Sequence, residues 1–398
     1  MSEHFLEYDE QAENEDDVEL AEGTDFSAAV VSGTDWTTET IINQINKSNI
    51  QLNPDFQRRD AWDKARKSNF IESLILGLPI PQLVLAERKE QRGAYIVLDG
   101  KQRLLSIRQF AAEKGDTVYE PLKLSGLEIR TDLKGKNLHD LKEDAAFYND
   151  VAAFENQPIR TVVIKNWPSE EFLYHVFLRL NTGSVQLAPQ ELRQALHPGA
   201  FASFIDKHAP DNLAIKSILK LKKPDFRMRD NELLLRYYAF KNFLPDYAGD
   251  FKKFLDNTCL KFNRDWKNVE GLVSKQFDDL NLAHETILNI FGENSYRKWF
   301  ATDYEKKFNR AIFDIMVLSF SDAEVRAAVV GKERGIEELF RKLCNGNYAF
   351  LTSIETTTKS LKSTHTRISV WFSELNNLLN TNLPNLELDD ATNRIKVV

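Results

Sequence analysis

The chain has 398 residues, 42% of them apolar and 11% aromatic, enough for more than one packed core and too apolar for a disordered protein. The net charge of −8 is uneven: Met1 to Asp25 hold eleven Asp or Glu and no Lys or Arg, and the rest of the chain balances 52 basic against 49 acidic residues. Two cysteines, Cys259 and Cys344, exclude a disulfide framework and show no zinc-type spacing.

The opening residues lack the basic start and apolar stretch of a secretory signal, and no apolar run reaches the roughly 20 residues that span a bilayer. A reducing, cytoplasmic location is therefore expected, without a membrane partner. A like-charged segment poor in large apolar groups stays solvated, so residues 1–27 are expected to form an acidic disordered tail. Such a tail serves as a solubilising segment, or as a nucleic-acid mimic that shields a basic groove.

Beyond it, Thr38 to Asn46 reads as a helix, with Ile41, Ile42 and Ile45 on one side. Leu52 to Asp63 (LNPDFQRRDAWD) reads as an extended loop broken by Pro54. A helix follows, with Phe70, Ile71, Leu74 and Ile75 at helical spacing and Gly77 as its stop. Gln82 to Ala86 and Ala94 to Leu98 read as strands, the second running through Asp99 and Gly100 into a helix marked by Leu104, Leu105, Ile107 and Phe110. After a polar excursion over residues 113–157, Ile159 to Ile164 gives a strand, Ser169 to Leu180 a helix and Leu187 to Leu196 another.

From about Ala200, helical periods take over: Asn231 to Phe243, Asp250 to Phe262, Val273 to Phe291, Glu305 to Leu318 and Ile368 to Leu379. The expected fold class is α+β, with a small mixed sheet over residues 28–200 followed by an all-α helical domain over 201–398.

Chemistry concentrates in YIVLDGKQRLLSIRQF, Tyr95 to Phe110. A strand delivers the chain to Gly100, where the absence of a Cβ permits a tight turn and close approach of a ligand. The opening amides of the next helix lack internal partners and, with the helix dipole, favour an anion such as phosphate, to which Lys101 and Arg103 add charge. Asp99 is the expected metal ligand or water-orienting group, since carboxylate oxygens suit magnesium. Gln102 both donates and accepts. The alternative is an ordinary strand-to-helix turn, with Asp99 as its cap.

Three further clusters stand out. In Phe56 to Trp62, Arg58 and Arg59 have the chemistry to reach phosphates, and Gln57 and Trp62 to orient or stack on a base, although a Trp here equally serves as a core anchor. In Val176 to Leu196, Arg179 and Asn181 end a helix, and Glu191 and Arg193 sit on the next; they line the same cleft, or merely stop the helix and pair locally. In Lys222 to Phe240, Lys222, Lys223, Arg227 and Arg229 form a basic edge that contacts nucleic acid backbone or is simply solvated.

In order, these segments resemble the N-terminal domain of GmrSD-type restriction proteins, GmrS-like members of the ParB and sulfiredoxin superfamily. The resemblance rests on Gln57, Arg58 and Trp62, on GLPIP at Gly77 to Pro81, on DGKQRL at Asp99 to Leu104, on RLNTG with QELR, and on RMRDNE at Arg227 to Glu232. It departs at Lys101, where the family usually has Gln.

The resemblance implies a ParB-like nucleotide-binding domain and NTP binding with Mg2+-dependent hydrolysis at the DGQQR box, in DNA restriction and anti-phage defence. Asp99, Gln102 and Arg103 are then the catalytic candidates, with Asp99 holding the metal; Gly100, Lys101, Gln57, Arg58, Arg179 and Asn181 bind nucleotide. DNA is the expected macromolecular partner, directly or through another protein. After residue 240 only His284 and His365 remain, without the paired spacing of a metal nuclease, so a separate nuclease partner is expected. Two alternatives stand beside the NTPase: a metal-dependent ParB-like endonuclease, and a nucleotide-sensing DNA-binding module without turnover.

Overall fold

The computed structural model describes residues 28–52, 61–180, 189–225, 227–389 and 391–398. The expected acidic tail and the candidates Gln57, Arg58 and Asn181 lie outside the described residues. The described residues divide into two compact units, one of residues 28–196 with 223–228, the other of 197–222 with 229–398.

The first unit is built on a four-stranded mixed sheet. Strand β1 (Val30–Thr37) runs antiparallel to β4 (Pro158–Lys165), which lies parallel to β2 (Leu83–Glu87), which in turn pairs antiparallel with β3 (Tyr95–Asp99). The side-chain period of two splits β2 between two cores. Leu83 and Leu85 pack with α1 (Thr38–Asn46), α2 (Lys64–Ile75) and α3 (Lys101–Phe110), whereas Val84 and Ala86 pack with Ile96, Leu98 and α6 (Glu170–Leu180). A strand buried on both faces reads as an unbroken apolar run, which is why LVLA is so plain in the sequence.

The polar excursion folds over the first core as α4 (Leu138–Lys142) and α5 (Tyr148–Asn156), with Phe154 edge-on to Phe110. Glu72 of α2 ties down the loop ahead of them by accepting the Ile129 and Arg130 amides at 3.3 and 2.6 Å. Beyond α6 comes α7 (Pro189–Leu196), which packs against α6 and β3.

The second unit is largely helical: α8 (Ala200–His208), α9 (Leu213–Leu219), α10 (Arg229–Phe243), α11 (Phe251–Phe291), α12 (Arg310–Phe320), α13 (Ala323–Val329), α14 (Glu333–Gly346), α15 (Tyr348–Glu355) and α16 (Leu361–Leu379). Two antiparallel hairpins that the sequence reading did not anticipate accompany them, β5 (Arg297–Phe300) with β6 (Asp303–Phe308) and β7 (Leu386–Asp389) with β8 (Arg394–Val397). Residues 305–308, expected to open a helix, lie in β6; the alternation of DYEKKF buries Tyr304 and leaves its charges outward.

The two helical periods expected at Asp250–Phe262 and Val273–Phe291 join into the single 41-residue α11. Residues 263–272 between them are half-buried or exposed and so carry no apolar stripe to read. Asn263 on this stretch caps another helix: its Oδ1 accepts the Phe201 and Ala202 amides of α8, whose own cap residue, Gly199, has no side chain to offer.

At the centre of this unit, Asp314 of α12 receives Arg236 of α10 through Nε and Nη2 at 2.5 and 2.6 Å, and Arg367 of α16 at 3.3 Å. All three side chains are at most 2% exposed. Among the described residues no helix is long and apolar enough to cross a membrane.

Candidate functional site

Strand β3 ends at Asp99 and α3 begins at Lys101, with only Gly100 between them. Gly100 makes this possible: its φ of 101° lies in the left-handed region, and a Cβ there would stand 2.3 Å from Leu83 Cδ2. The first helical bond, from Leu104 N–H to Gly100 O, is 3.0 Å long. The amides ahead of it, on Lys101, Gln102 and Arg103, therefore have no acceptor within the helix. No side chain caps this helix start. Asp99, the cap in the alternative reading, instead belongs to the strand, and the cap position falls to Gly100.

Around those amides the described side chains are matched in charge. Arg103 donates through Nη2 to Asp99 Oδ2 at 2.8 Å and to the Gln82 carbonyl at 3.1 Å. Lys101 Nζ lies 2.5 Å from Glu191 Oε1 of α7, both side chains being 8% exposed or less. The two cations expected to add charge at the helix start thus each hold a carboxylate here.

Among the buried side-chain atoms without a hydrogen-bond partner in the described residues are Gln102 Oε1 and Arg103 Nε of α3 and both amide atoms of Gln194 on α7. Leaving a buried polar group unsatisfied costs about 1–3 kcal/mol each. Of these, Arg103 Nε is the one located at the helix start, 3.3 Å from where a Cβ on Gly100 would stand, and it is a donor suited to an anion.

The remaining candidates divide. Arg179 is exposed on the last turn of α6, on the described side of the RLNTG segment. Trp62 packs edge-on against Phe70 at 5.7 Å beneath the Arg66 guanidinium, so the core-anchor reading describes its observed contacts. Lys222, Lys223 and Arg227 are exposed, and Arg229 already lies within α10.

His284 is buried with Nδ1 2.8 Å from the Tyr296 hydroxyl, and burial pulls its pKa down to about 4. His365 Nε2 sits 3.1 Å from the Leu386 carbonyl. Both histidines are engaged in packing the second unit.

Glu191, expected either to line the cleft or to pair locally, and Lys67, not singled out in the sequence, join the picture. Among the described contacts Arg193 donates to Gln190 Oε1 at 2.7 Å and Glu191 accepts from Lys101 Nζ at 2.5 Å. Lys67 of α2, buried beside α3, donates to Gln109 Oε1 at 2.6 Å, and burial lowers its pKa to about 8 against the opposing pull of Glu120. The local signal for Lys67 was a lysine on the apolar side of an amphipathic helix.

Comparison with known proteins locates the domain. Residues 39–198 match the family described as GmrSD restriction endonuclease, N-terminal domain. The matched span contains β2, β3, β4 and every described residue of the α3 site. No curated protein and no solved structure matches the chain.

Proposed function

We propose that the chain binds a nucleoside triphosphate at the start of α3 and hydrolyses it with Mg2+, as one module of a DNA-restriction or anti-phage defence system. The observation that carries this reading is the helix start behind Gly100, uncapped among the described residues, with the buried Arg103 Nε beside it and without a partner there.

The amides and the Arg103 guanidinium would receive phosphate oxygens. Phosphoryl transfer asks chiefly for positioning and charge stabilisation, which such a donor array supplies. Magnesium fits the Asp99 carboxylate, since Arg103 engages only Oδ2 and the side chain is 37% exposed at the edge of the site. Gln57, Arg58, Arg179 and Asn181 would complete the pocket. The match to a restriction endonuclease domain supports DNA as the macromolecular partner, reached directly or through a separate nuclease.

A second reading, nucleotide sensing without turnover, draws support from the same geometry. Arg103 is anchored on Asp99, so nucleotide binding that breaks this pair would register as a change in the site without any bond being cleaved. Intrinsic nuclease activity is less well supported, because phosphodiester cleavage relies on clustered carboxylates open to metal, whereas Asp99 and Glu191 are each matched to a cation.

A thermal-shift panel of ATP, GTP, CTP and UTP with Mg2+, followed by phosphate release, tests the proposal. Ligand at 100 times Kd stabilises by about 2.7 kcal/mol, a shift that Arg103→Ala abolishes if the site is correct. No shift with any nucleotide overturns it, and a shift without product selects the sensing reading.

A further inference from the structure

The long helix of the second unit, α11 (Phe251–Phe291), carries a basic ridge. At about 100° per residue, Lys253, Arg264, Lys267 and Lys275 fall within an arc of about 80° of its circumference. All four are exposed. Asn257, Leu260 and Gly271 share the arc, and no carboxylate enters it before Asp278 and Glu285, where the ridge changes sign. Lys253 and Lys275 are 22 residues apart, about 33 Å along the helix.

Among the described residues this charge is largely unmatched. Lys253, Lys267 and Lys275 hold no ion pair there. Arg264 lies 3.2 Å from its neighbour Asp265, the two side chains being 73% and 49% exposed, and such a pair is worth little in water. Arg264 and Lys267 stand three positions apart, where like charges cost a helix stability. No residue from 263 to 272 is buried, so the middle of the ridge is open to a large partner.

The apolar side chains exposed on the same helix make no seam for a second helix. Leu260, Leu272, Leu282 and Leu288 are 39–48% exposed, yet they spread over about 200° of the circumference, whereas a helix pair needs one narrow stripe.

We infer that the basic ridge of α11 is a docking surface for duplex DNA, held through the phosphates without regard to base sequence. This rests on the reading of DNA as a direct partner and is independent of the nucleotide site at α3. A length of about 33 Å matches one turn of the double helix, about 34–36 Å, and a row of cations suits a rod that carries one negative charge per about 1.7 Å. The arc has no aromatic side chain on which the bases of a single strand would stack. Lysine, arginine and asparagine side chains reach phosphate oxygens and leave the base edges unread.

The test is a fluorescence-anisotropy titration of the full chain against two labelled duplexes of unrelated sequence and a single strand of the same length, at several salt concentrations. The parent should bind both duplexes alike and the single strand more weakly. The variant with Lys253→Gln, Arg264→Gln, Lys267→Gln and Lys275→Gln should bind both duplexes at least about tenfold more weakly at 0.1 M salt. Its slope of log K against log salt should be shallower by about 3–4, since each lost phosphate contact removes about 0.9. Gln is close to Lys and Arg as a helix former, so the fold is kept, which Tm checks. Lys267→Gln alone should make the slope shallower by about 1, and Asp278→Asn with Glu285→Gln should bind at least as tightly as the parent.

A fourfold variant with the affinity and salt slope of the parent would overturn the ridge while leaving direct DNA binding in place. A parent that binds no duplex at any salt concentration removes the direct-DNA reading and the ridge with it. Tighter binding of the single strand than of either duplex also refutes the assignment.

Discussion

Replacing Gly100 by Ala tests whether the helix start is shaped by the one residue there that has no side chain. Two costs can be worked out. A Cβ at φ 101° meets the backbone strain that confines this region to glycine, about 1–2 kcal/mol. The new methyl would also lie 2.3 Å from Leu83 Cδ2, well inside contact distance, and Leu83 is fully buried on a central strand. Forcing an extra methyl into such packing typically costs about 1–3 kcal/mol.

The sum is about 2–5 kcal/mol of lost stability, measurable as a fall in the urea midpoint at constant slope. The two parts separate in a Leu83→Ala background, which removes the obstructing methyl: there the glycine substitution should cost only the backbone share, about 1–2 kcal/mol. A cost below about 1 kcal/mol in the parent, or one unchanged in the Leu83→Ala background, would refute the argument. The Arg103 guanidinium, 3.2 Å from the same methyl, would be displaced too, so nucleotide affinity should fall along with stability.

Two further expectations concern the helical unit. Asp314→Ala strands the Arg236 and Arg367 guanidinium groups without their shared carboxylate, which should destabilise by about 3–5 kcal/mol by chemical denaturation, whereas a loss under about 1 kcal/mol would mean that neither arginine depends on it. His284 should make the protein sensitive to acid: with its pKa near 4 in the fold and near 6.5 when unfolded, the unfolded chain takes up the proton first, so stability drains away as pH falls from 6.5 to 4. The bound on that loss is about 3 kcal/mol, and denaturation of His284→Gln at pH 7 and 4.5 should show a correspondingly flatter response.

What was legible in the sequence followed how completely burial wrote a period into it. Leu83–Glu87 and Tyr95–Asp99 were readable because both faces of β2 and one of β3 are core, and the turn into α3 because Gly100 stands between an apolar strand and a helical stripe. Strand β1 was not, since VVSGTDWT is an edge strand with mostly exposed side chains, held by pairing to β4 rather than by burial. The middle of α11 was hidden for the same reason. The small mixed sheet and the helical second half came through, whereas the two hairpins rest on four- to six-residue strands with one buried side chain each.

Within the site the boundary falls between local and distant spacing. Asp99 and Arg103 are four residues apart across the strand-to-helix turn, so their pairing was available to a reader who followed the helix back past Gly100. Lys101 and Glu191 are brought together only by α7 packing on β3, and no periodicity encodes that. Sequence alone therefore credited Lys101 and Arg103 with free positive charge that the fold spends on carboxylates. The anion site proposed at α3 then rests on its first-turn amides and on the share of the Arg103 guanidinium not held by Asp99, at a helix start whose cap residue, Gly100, has no side chain. On the proposed reading matched pairs would make that arrangement more selective, since an anion would need geometry that fits the amide fork to displace Asp99 from Arg103, as a phosphate chain does and a chloride ion does not.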